Sequence, residues 1–466
     1  MQNFINLVTK NRQYILDAEK YLWTIPEPGF KEYKTNDFMI NEFEKLGYTV
    51  TRPENITGFS AQLDTGKKGP TIVVVAELDA LYSKEHPATS VETGCVHACG
   101  HHIQLACALG VAKLVKEPEF IENLCGKIKF VIVPAEEGIE ISYRQQLIKE
   151  GKLAFSSGKP EFVLRGFFND ADLCFMVHAR DLSYISDKAI FSLEGVSNGV
   201  IRKTTEIYGK ASHAGGTPHE GINALNAGAM VLSAINNLRE TFEDNDHVRV
   251  HSIITQGGLS VNVVPDKVVI ESYVRASSVA KLKDANEKVN RAITASCAVF
   301  GAKCKISDLA GSEPLHNDAN LKILASKVFN DANLKILASK VLDQTVGKEG
   351  YSFSDLPAGF STDMGDITQL FPSLHAYSGG VTGTLHSKEF AISNYDDALI
   401  HNVNFQVSLL YALLENNAEE ANKIISKFKP SFVSIEKYLE YKKSINSVYD
   451  GVEYLPNGKI QLTFKK

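Results

Sequence analysis

Short runs of apolar residues recur along the first part of the chain. They are PTIVVVAEL at 70–78, KIKFVIVP at 127–134 and DLCFMV at 172–177. Such runs are typical of strands that are buried on both faces of a parallel sheet. Between the first two lies HHIQLACALGVAKLVKE at 101–117, whose apolar residues recur at helical spacing. This strand–helix–strand alternation predicts an α/β domain with a mostly parallel sheet flanked by helices.

The pattern changes at about residue 190, where strand-like stretches alternate with two long amphipathic stretches. In order they are IRKTTEIYG, GINALNAGAMVLSAINNLRE, VRVHSIITQ, KVVIESYVR, VAKLKDANEKVNRAITASCAVF and AKCKISD. This β-α-β-β-α-β order is typical of a ferredoxin-like domain. We therefore predict a catalytic domain in two parts, 1–189 and 311–416, an inserted domain at 190–310 and a C-terminal extension at 417–466. In the extension, EYLPNGKIQLTF predicts a β-hairpin around Asn457-Gly458.

One segment, NDANLKILASKV at 317–328, recurs letter for letter at 330–341. The shift between the copies rotates an α-helix by about 220° beyond whole turns, so their apolar faces cannot lie on one side of a single straight helix. We expect one copy to pack and the other to extend, kink or loop out. Each copy begins with Asn-Asp, a common helix N-cap. Because two copies are too few for a repeat architecture, we interpret 317–341 as a tandem duplication.

Composition and charge exclude several classes of function. Of the 466 residues, 44% are hydrophobic, which suffices for a large core and, by length, for two or three domains. The formal net charge is −6 and no basic block is present, so we expect no nucleic-acid partner. The sequence shows no signal-peptide pattern and no apolar run of about 18 residues, so we expect no membrane span. Seven irregularly spaced cysteines favour reduced thiols in a cytoplasm.

Polar side chains follow each of the three predicted strands. Asp79 follows the first strand, Glu136 and Glu137 follow the second, and His178 follows the third. The helix after the first strand opens with GCVHACGHH at 94–102. In open α/β sheets, ligands bind beyond the carboxyl ends of the strands. Four segments therefore bring carboxylates, imidazoles and thiols to one edge of the sheet, which predicts a metal site.

Within the Cys/His stretch, Cys99 and His101 are the candidate ligands. The glycine between them lets the backbone bend tightly, so that thiolate and imidazole can point to the same place. The other members are assigned to packing (Cys95 and Cys107) or, undecided, to positions beside the ligands or at the surface (His97 and His102).

The paired carboxylates suit two different roles, because neighbouring side chains of an extended chain point apart. Of Glu136 and Glu137, one can hold a metal while the other takes a proton from the water that the metal activates. His178 is a further ligand candidate, and Asp79 is placed to orient a ligand imidazole. Zinc, manganese and cobalt all accept such a mixed ligand set.

Eight motifs, taken in order, resemble the aminoacylase/carboxypeptidase superfamily of dinuclear metallohydrolases. They are VVVAELDA, TGCVHACGHHIQLA, VPAEEG, MVHA, KASHAGGTPHEGINAL, GGLSVNVVPD, FSTDMGDI and LHSKEF. The resemblance covers residues 10–415 approximately, and the branch looks like that of aminobenzoyl-glutamate hydrolase and the indole-acetyl-amino-acid amidohydrolases. It implies two divalent metal ions per subunit, a small-molecule amide substrate and a homodimer formed through the inserted domain, which would also act as a lid.

The resemblance also implies roles for individual residues. The metal ligands would be Cys99, His101, Glu137, His178 and His386. Glu136 would be the general base, and His213 would reach the active site of a neighbouring subunit and stabilise the tetrahedral intermediate. His386 follows from the resemblance alone, because HSKEF by itself indicates a surface turn.

Three further residues are candidates for substrate binding. Asn262 would lie near the substrate by resemblance. Asp363 and Arg275 join it, although the residues alone equally allow a helix cap for Asp363 and a surface ion pair for Arg275. His102 departs from the branch, which often carries Asp or Asn at that position, and the duplication lies where the chain re-enters the catalytic domain.

The predicted function is that of a cytoplasmic, metal-dependent amidohydrolase. It would cleave the amide of an N-acyl or aryl-acyl amino acid or of a small dipeptide. Two alternatives stay open: a hydrolytic deaminase of an aromatic amine, and a non-catalytic metal-binding dimer. Glu136 argues against the latter, because a purely structural metal site has no need of that extra carboxylate.

Overall fold

A computed structural model describes residues 4–183, 190–193, 196–331 and 361–464. The chain divides into two units by its internal contacts. The first comprises Met1–Gly195, His316–Leu356 and Asp366–Ile435, and the second comprises Val196–Leu315, Pro357–Gly365 and Glu436–Lys466. Among the described residues, every helix is too short or too polar to cross a lipid bilayer.

The helices of the described ranges are numbered in chain order. They are α1 Ile5–Lys10, α2 Arg12–Trp23, α3 Tyr33–Lys45, α4 His101–Leu114, α5 Pro118–Ile121, α6 Ile141–Lys149, α7 Gly158–Leu164, α8 Ala224–Asn237, α9 Val279–Val299, α10 Ala319–Asp331, α11 Met364–Thr368, α12 His401–Lys427 and α13 Ile435–Ile445.

The strands are numbered in the same way. They are β1 Val50–Thr51, β2 Phe59–Asp64, β3 Thr71–Glu77, β4 Leu81–Tyr82, β5 Cys95–Val96, β6 Lys127–Val133, β7 Leu173–Ala179, β8 Phe191–Ser192, β9 Val196–Ser197, β10 Gly199–Tyr208, β11 Arg249–Gln256, β12 Lys267–Ala276, β13 Lys303–Ala310, β14 Leu315–His316, β15 Ser373–Ser378, β16 Val381–Thr382, β17 Ala391–Ile392, β18 Ser447–Asp450, β19 Val452–Tyr454 and β20 Ile460–Leu462.

The first unit is built on a sheet of order β1-β2-β6-β3-β7-β15-β8. Its four central strands pair in parallel, and antiparallel pairs flank them on both sides. Every residue of β3 and β7 is buried, as the continuous apolar runs predicted. Each buried valine or isoleucine contributes about 1.5–3 kcal/mol relative to exposure. The predicted α/β class with a mostly parallel sheet flanked by helices is confirmed.

Helix α4 carries the start of the Cys/His stretch into the core. It is almost entirely apolar and almost entirely buried. Gly110 allows its close packing, because a Cβ atom there would lie 3.0 Å from side-chain carbons of Ile15 in α2 and Val403 in α12. The helix is therefore fixed on both sides, which fixes the position of its first residue, His101, beyond the carboxyl end of β3.

The first copy of the duplicated segment forms α10. Its apolar face, which includes Leu321, Leu324 and Val328, is buried in the core of the first unit. Asp318 caps the helix, since its Oδ1 accepts a hydrogen bond of 2.8 Å from the backbone N–H of Leu321. The second copy, from residue 332 onward, lies outside the described residues.

The second unit contains β10-α8-β11-β12-α9-β13, the β-α-β-β-α-β order that the sequence predicts. These four strands form an antiparallel sheet of order β11-β12-β10-β13, to which β18 adds a fifth strand beside β13. The two helices pack on the sheet and bury one apolar face, which includes Val231 of α8 and Val289 of α9.

The end of the chain is part of this second unit and not a separate extension. Tyr438 is fully buried, and Nζ of the buried Lys442 lies 2.9 Å from Oε1 of Glu313. Beyond β18, strands β19 and β20 form the hairpin predicted around Asn457-Gly458. Residues 436–466 thus complete the sheet and its core, which composition alone does not reveal.

Candidate metal centre

Seven of the predicted site residues come together in the first unit, at the carboxyl ends of β3, β6 and β7. They are Asp79, Cys99, His101, Glu136, Glu137, His178 and His386. Ligand atoms lie within 4.8 Å of one another in three overlapping groups: Cys99 with His101 and His178, Cys99 with Glu137 and His386, and His101 with Glu136 and Glu137. The overlap makes this one cluster, as the convergence of strand ends predicted.

The distances within the cluster fit a divalent cation. Sγ of Cys99 lies 3.5 Å from Nε2 of His178, and Oε1 of Glu137 lies 3.3 Å from Nε2 of His386. Two ligands on one tetrahedral ion are about 3.3–3.6 Å apart for thiolate, imidazole and carboxylate bonds. Among the described residues, Nε2 of His101 and Oε1 of Glu137 are buried without a hydrogen-bond partner. Such atoms are costly unless a cation occupies the space between them.

Backbone conformation explains how Cys99 and His101 share one site. Gly100 between them has a φ of +90°, and a Cβ atom there would lie 3.0 Å from the Cβ of Ala179. The tight bend predicted from the sequence is present, and only glycine adopts it without strain. His386 has a φ of +69°, which is unusual for a residue with a side chain and marks local strain at the site.

Asp79 orients its neighbours through both its backbone and its side chain. Its carbonyl oxygen accepts a hydrogen bond of 2.7 Å from Nδ1 of His101, which fixes the proton on Nδ1 and leaves Nε2 for a metal. Its carboxylate accepts the backbone N–H groups of Glu136 at 3.2 Å and Glu137 at 2.9 Å. The predicted orienting role thus extends from the imidazole to the paired carboxylates.

The electrostatics favour protonation states that suit a metal. Burial alone raises the pKa of Glu137, but the contact with His386 outweighs it and lowers the pKa to about 2. Burial and the charge of His101 lower the pKa of His178 to about 4, so this imidazole is neutral at pH 7. Burial raises the pKa of the Cys99 thiol, so a cation that binds there displaces a proton.

A buried arginine holds the turn that carries the paired carboxylates. The guanidinium of Arg144 donates hydrogen bonds to the carbonyl oxygens of Ser156 at 2.7 Å, Ala135 at 3.3 Å and Glu137. Its side chain is fully buried. Ala135 has a φ of +55°, so this turn is strained and depends on such contacts.

Arg144→Met is therefore expected to destabilise the protein by about 2–4 kcal/mol and to weaken metal retention, because three buried carbonyl groups lose their donor. Urea denaturation and metal analysis after dialysis measure both effects. Arg165→Met is the matched control, since Arg165 also donates to two carbonyl oxygens, of Glu54 and Lys152, but is partly exposed. Equal stability and metal content in the two variants would contradict the role of Arg144.

The other predicted residues belong to the second unit. Nδ1 of His213 accepts backbone N–H groups of Gly215 at 3.2 Å and Gly216 at 2.9 Å. The neutral imidazole therefore carries its proton on Nε2, and the residue is exposed. The carbonyl oxygen of Asn262 accepts the N–H of Ala214 at 2.9 Å, which places Asn262 beside His213.

Arg275 and Asp363 also lie in the second unit. Nη1 of Arg275, on β12, donates a hydrogen bond of 2.5 Å to Oγ of Ser361, two residues before the buried Asp363. Asp363 directly precedes α11, the position of a helix cap. The structure brings these two residues near each other through the segment 361–363, and their role with substrate stays a prediction.

The surface alternative for His97 and His102 is wrong, because both are buried. Nε2 of His102 lies 3.5 Å from Oε1 of Glu19, and the His97 and His102 rings are 5.2 Å apart. Cys95 and Cys107 are fully buried, in keeping with packing.

Sequence reasoning missed three residues next to His101. Glu77, at the end of β3, lies with Oε2 at 3.2 Å from Nε2 of His101. Gln104 and Lys159 both contact its carboxylate. A signal existed for Glu77, which lies two residues before Asp79 and therefore on the same face of the extended chain. No local pattern announces Lys159.

The fold and the site define the class: an α/β protein with a metal-binding cluster at the edge of its sheet and a second, ferredoxin-like unit. Residues 194–299 match the M20 peptidase dimerisation domain. The chain is 27% identical, over 68% of its length, to 72% of the N-acetyl-L-cysteine deacetylase of Bacillus subtilis. It is 29% identical, over 60% of its length, to 55% of one of the subunits of the p-aminobenzoyl-glutamate hydrolase of Escherichia coli.

Solved structures agree on the fold. A dinuclear metal-binding peptidase of the M20 family from Bacillus subtilis is similar over 87% of this chain and 99% of its own, with a TM-score of 0.65 and 21% identity. The resemblance to the aminoacylase/carboxypeptidase superfamily inferred from the eight motifs is confirmed by these findings.

Proposed function

We propose that this chain is a metal-dependent amidohydrolase that cleaves the amide of an N-acyl or aryl-acyl amino acid or of a small dipeptide. The observation that carries the proposal is the extra carboxylate of Glu136, which lies within 4.8 Å of ligand atoms of His101 and Glu137. A structural metal site needs ligands only, whereas hydrolysis also needs a base. The names of the relatives, a deacetylase of N-acetylcysteine and a hydrolase of aminobenzoyl-glutamate, describe this class of linear amide.

The residues of the first unit divide the chemical work. Two divalent ions, zinc, manganese or cobalt, would be held by Cys99, His101, Glu137, His178 and His386. When bound, they would supply Lewis acidity to the amide carbonyl and lower the pKa of the attacking water. Glu136 takes the proton of that water and passes it to the departing amine. Asp79 keeps the Glu136 backbone and the His101 ring in place for this task.

The second unit is proposed to act as lid and dimerisation domain, at 190–310. The exposed Nε2–H of His213 is a donor suited to the negative charge that develops on the amide oxygen. We assign this role to His213 in the site of a neighbouring subunit, with Asn262 beside it. Arg275 and Asp363 are the proposed substrate-binding residues of the same unit. The seven cysteines are free thiols, which supports a cytoplasmic setting.

Mixed dimers test the action in trans. A His213→Ala subunit combined with a Glu136→Gln subunit is expected to recover about half of the wild-type activity. One of its two sites then has both an intact base and an intact donor from the other chain. The measurement is turnover of tag-purified heterodimers, compared with each homodimer. Purified heterodimers as inactive as the homodimers would contradict the assignment.

The proposed dimer is supported by the edge strand β11. It ends the described sheet on the side opposite β18, so its outer N–H and C=O groups are open to another strand. Apolar side chains on and after it are exposed, among them Ile253 at 62% and Val261 at 100%. Clustered apolar exposure of this kind marks an interaction surface.

Ile253→Lys is expected to shift the protein from dimer to monomer, because it places a charge in that surface. Sedimentation equilibrium measures the mass. Ile460→Lys is the control, since Ile460 is half exposed on the hairpin strand β20. A dimer that persists in Ile253→Lys, or dissociates in Ile460→Lys, would move the interface away from β11.

The function itself is tested by incubating zinc- or manganese-loaded protein with a pool of acyl amino acids, aryl-acyl amino acids, dipeptides and aromatic amines. Mass spectrometry of the products is the readout. An acid and an amine that appear together support the amidohydrolase and identify its substrate. Ammonia with a hydroxylated ring would instead establish the deaminase, and no turnover by metal-replete protein would favour the non-catalytic dimer.

A further inference from the structure

The carboxylate of Glu77 lies at the metal centre, yet no role has so far been given to it. Its Oε1 is 2.5 Å from Nζ of Lys159, and both side chains are almost fully buried. Its Oε2 accepts a hydrogen bond of 3.0 Å from Nε2 of Gln104, while its backbone N–H donates to Oε1 of the same amide at 3.1 Å. Glu77 is thus held on two sides in one orientation.

The contact between Glu77 and His101 is informative because of the proton on the imidazole. Nδ1 of His101 donates to the carbonyl oxygen of Asp79, so the neutral ring presents a lone pair at Nε2. That nitrogen lies 3.2 Å from Oε2 of Glu77 and has no hydrogen-bond partner among the described residues. A lone pair and a carboxylate oxygen repel each other at this distance unless a cation lies between them.

The distance itself matches two ligands of one ion. Nitrogen and oxygen ligands with bonds of about 2.0–2.2 Å lie about 2.9–3.4 Å apart for octahedral to tetrahedral angles. The separation of 3.2 Å between His101 and Glu77 falls in this interval. A ligand atom of Glu77 also lies within 4.8 Å of one of Glu136, so Glu77 faces the same space as the proposed base.

We propose that Glu77 is a further metal-facing carboxylate, which shares with His101 one of the two divalent ions. Lys159 and Gln104 are positioning residues that hold it there. The inference rests on the proposed function, since it takes the cluster to be a metal centre. The buried ammonium of Lys159 keeps Glu77 ionised and balances its charge, and the amide of Gln104 sets the direction of Oε2. Outer groups of this kind commonly change metal affinity by about 10–100-fold.

The test replaces the buried pair as a whole. Glu77→Gln combined with Lys159→Met leaves no unpaired charge in the core, so the variant is expected to fold. The matched control is Asp308→Asn with Lys203→Met, which removes a fully buried ion pair of the second unit. Metal content after dialysis and affinity from chelator competition are measured on the full chain, with Zn²⁺ and Mn²⁺ as probes. The cobalt-substituted protein gives visible absorption bands that report the ligand set.

The Glu77/Lys159 variant is expected to bind one of its two ions about 10–100-fold more weakly and to show altered cobalt bands, with the control pair at wild-type values. Wild-type affinity and spectrum in the folded variant would overturn the proposal while leaving the metal centre intact. If the wild-type protein binds no divalent ion, the proposed function fails with it. Should the double variant not fold, Glu77→Asp, which retracts the carboxylate, is expected to weaken the same ion, and unchanged affinity there would also overturn the proposal.

Discussion

Glu136→Gln is expected to lower kcat by about 10²–10⁴-fold while both metal ions stay bound and KM changes little. Glutamine has the size and polarity of glutamate but cannot accept a proton from the attacking water. The ligand side chains are separate residues, and the N–H that Glu136 donates to Asp79 belongs to the backbone, so the substitution leaves the geometry of the centre intact. Steady-state kinetics on the substrate found in the pooled assay give kcat and KM, and metal analysis gives occupancy.

The control for this variant lies in the same loop. Glu140 is a carboxylate four residues further on that pairs with Lys31 at 2.7 Å. Glu140→Gln is expected to retain wild-type kcat, because Glu140 has no part in the cluster. Normal turnover in Glu136→Gln would remove the base from the proposed mechanism. Loss of metal together with turnover would instead make Glu136 a ligand.

Local sequence patterns predicted the parts of the fold that local physics determines. Buried strands appear as apolar runs, the helix α4 as a period of 3.6, and the second unit as an order of alternating elements. The fate of 436–466 was not predictable in this way. Strand β18 has alternating exposure and is only four residues long, and it exists because β13 offers an unpaired edge. Such pairing depends on residues more than a hundred positions away.

The site shows the same division. Cys99, His101, Glu137 and His178 follow strand ends or open a helix, so the topology of a parallel sheet alone brings them together. His386 lies far along the chain on a turn, and only the family resemblance suggested it. Glu77 was hidden for a different reason. It is the last residue of a buried strand, and its importance depends on Lys159, whose approach is a tertiary contact.

Cys99→Ser is expected to reduce retention of zinc at least about 10-fold and to abolish turnover of the zinc-loaded protein. The thiolate is the soft ligand of the cluster and lies 3.5 Å from Nε2 of His178, within reach of a shared ion. A serine hydroxyl is harder and binds zinc weakly as a neutral group. Manganese prefers oxygen ligands, so added Mn²⁺ is expected to restore more activity than Zn²⁺. Metal analysis after dialysis and turnover with each metal measure both effects.

Cys107→Ser separates this effect from the cost of putting a hydroxyl into the core. Cys107 is fully buried in α4, with Sγ 3.8 Å from the carbonyl oxygens of Ala398 and Leu399. Its replacement is expected to lower the thermal midpoint and to leave metal content unchanged, because Cys107 faces α12 and not the cluster. If Cys99→Ser retained zinc as well as Cys107→Ser does, the thiol would be no ligand. His101, His178 and the carboxylates would then have to hold both ions without sulfur, which the preference of Mn²⁺ over Zn²⁺ in the wild-type protein would reveal.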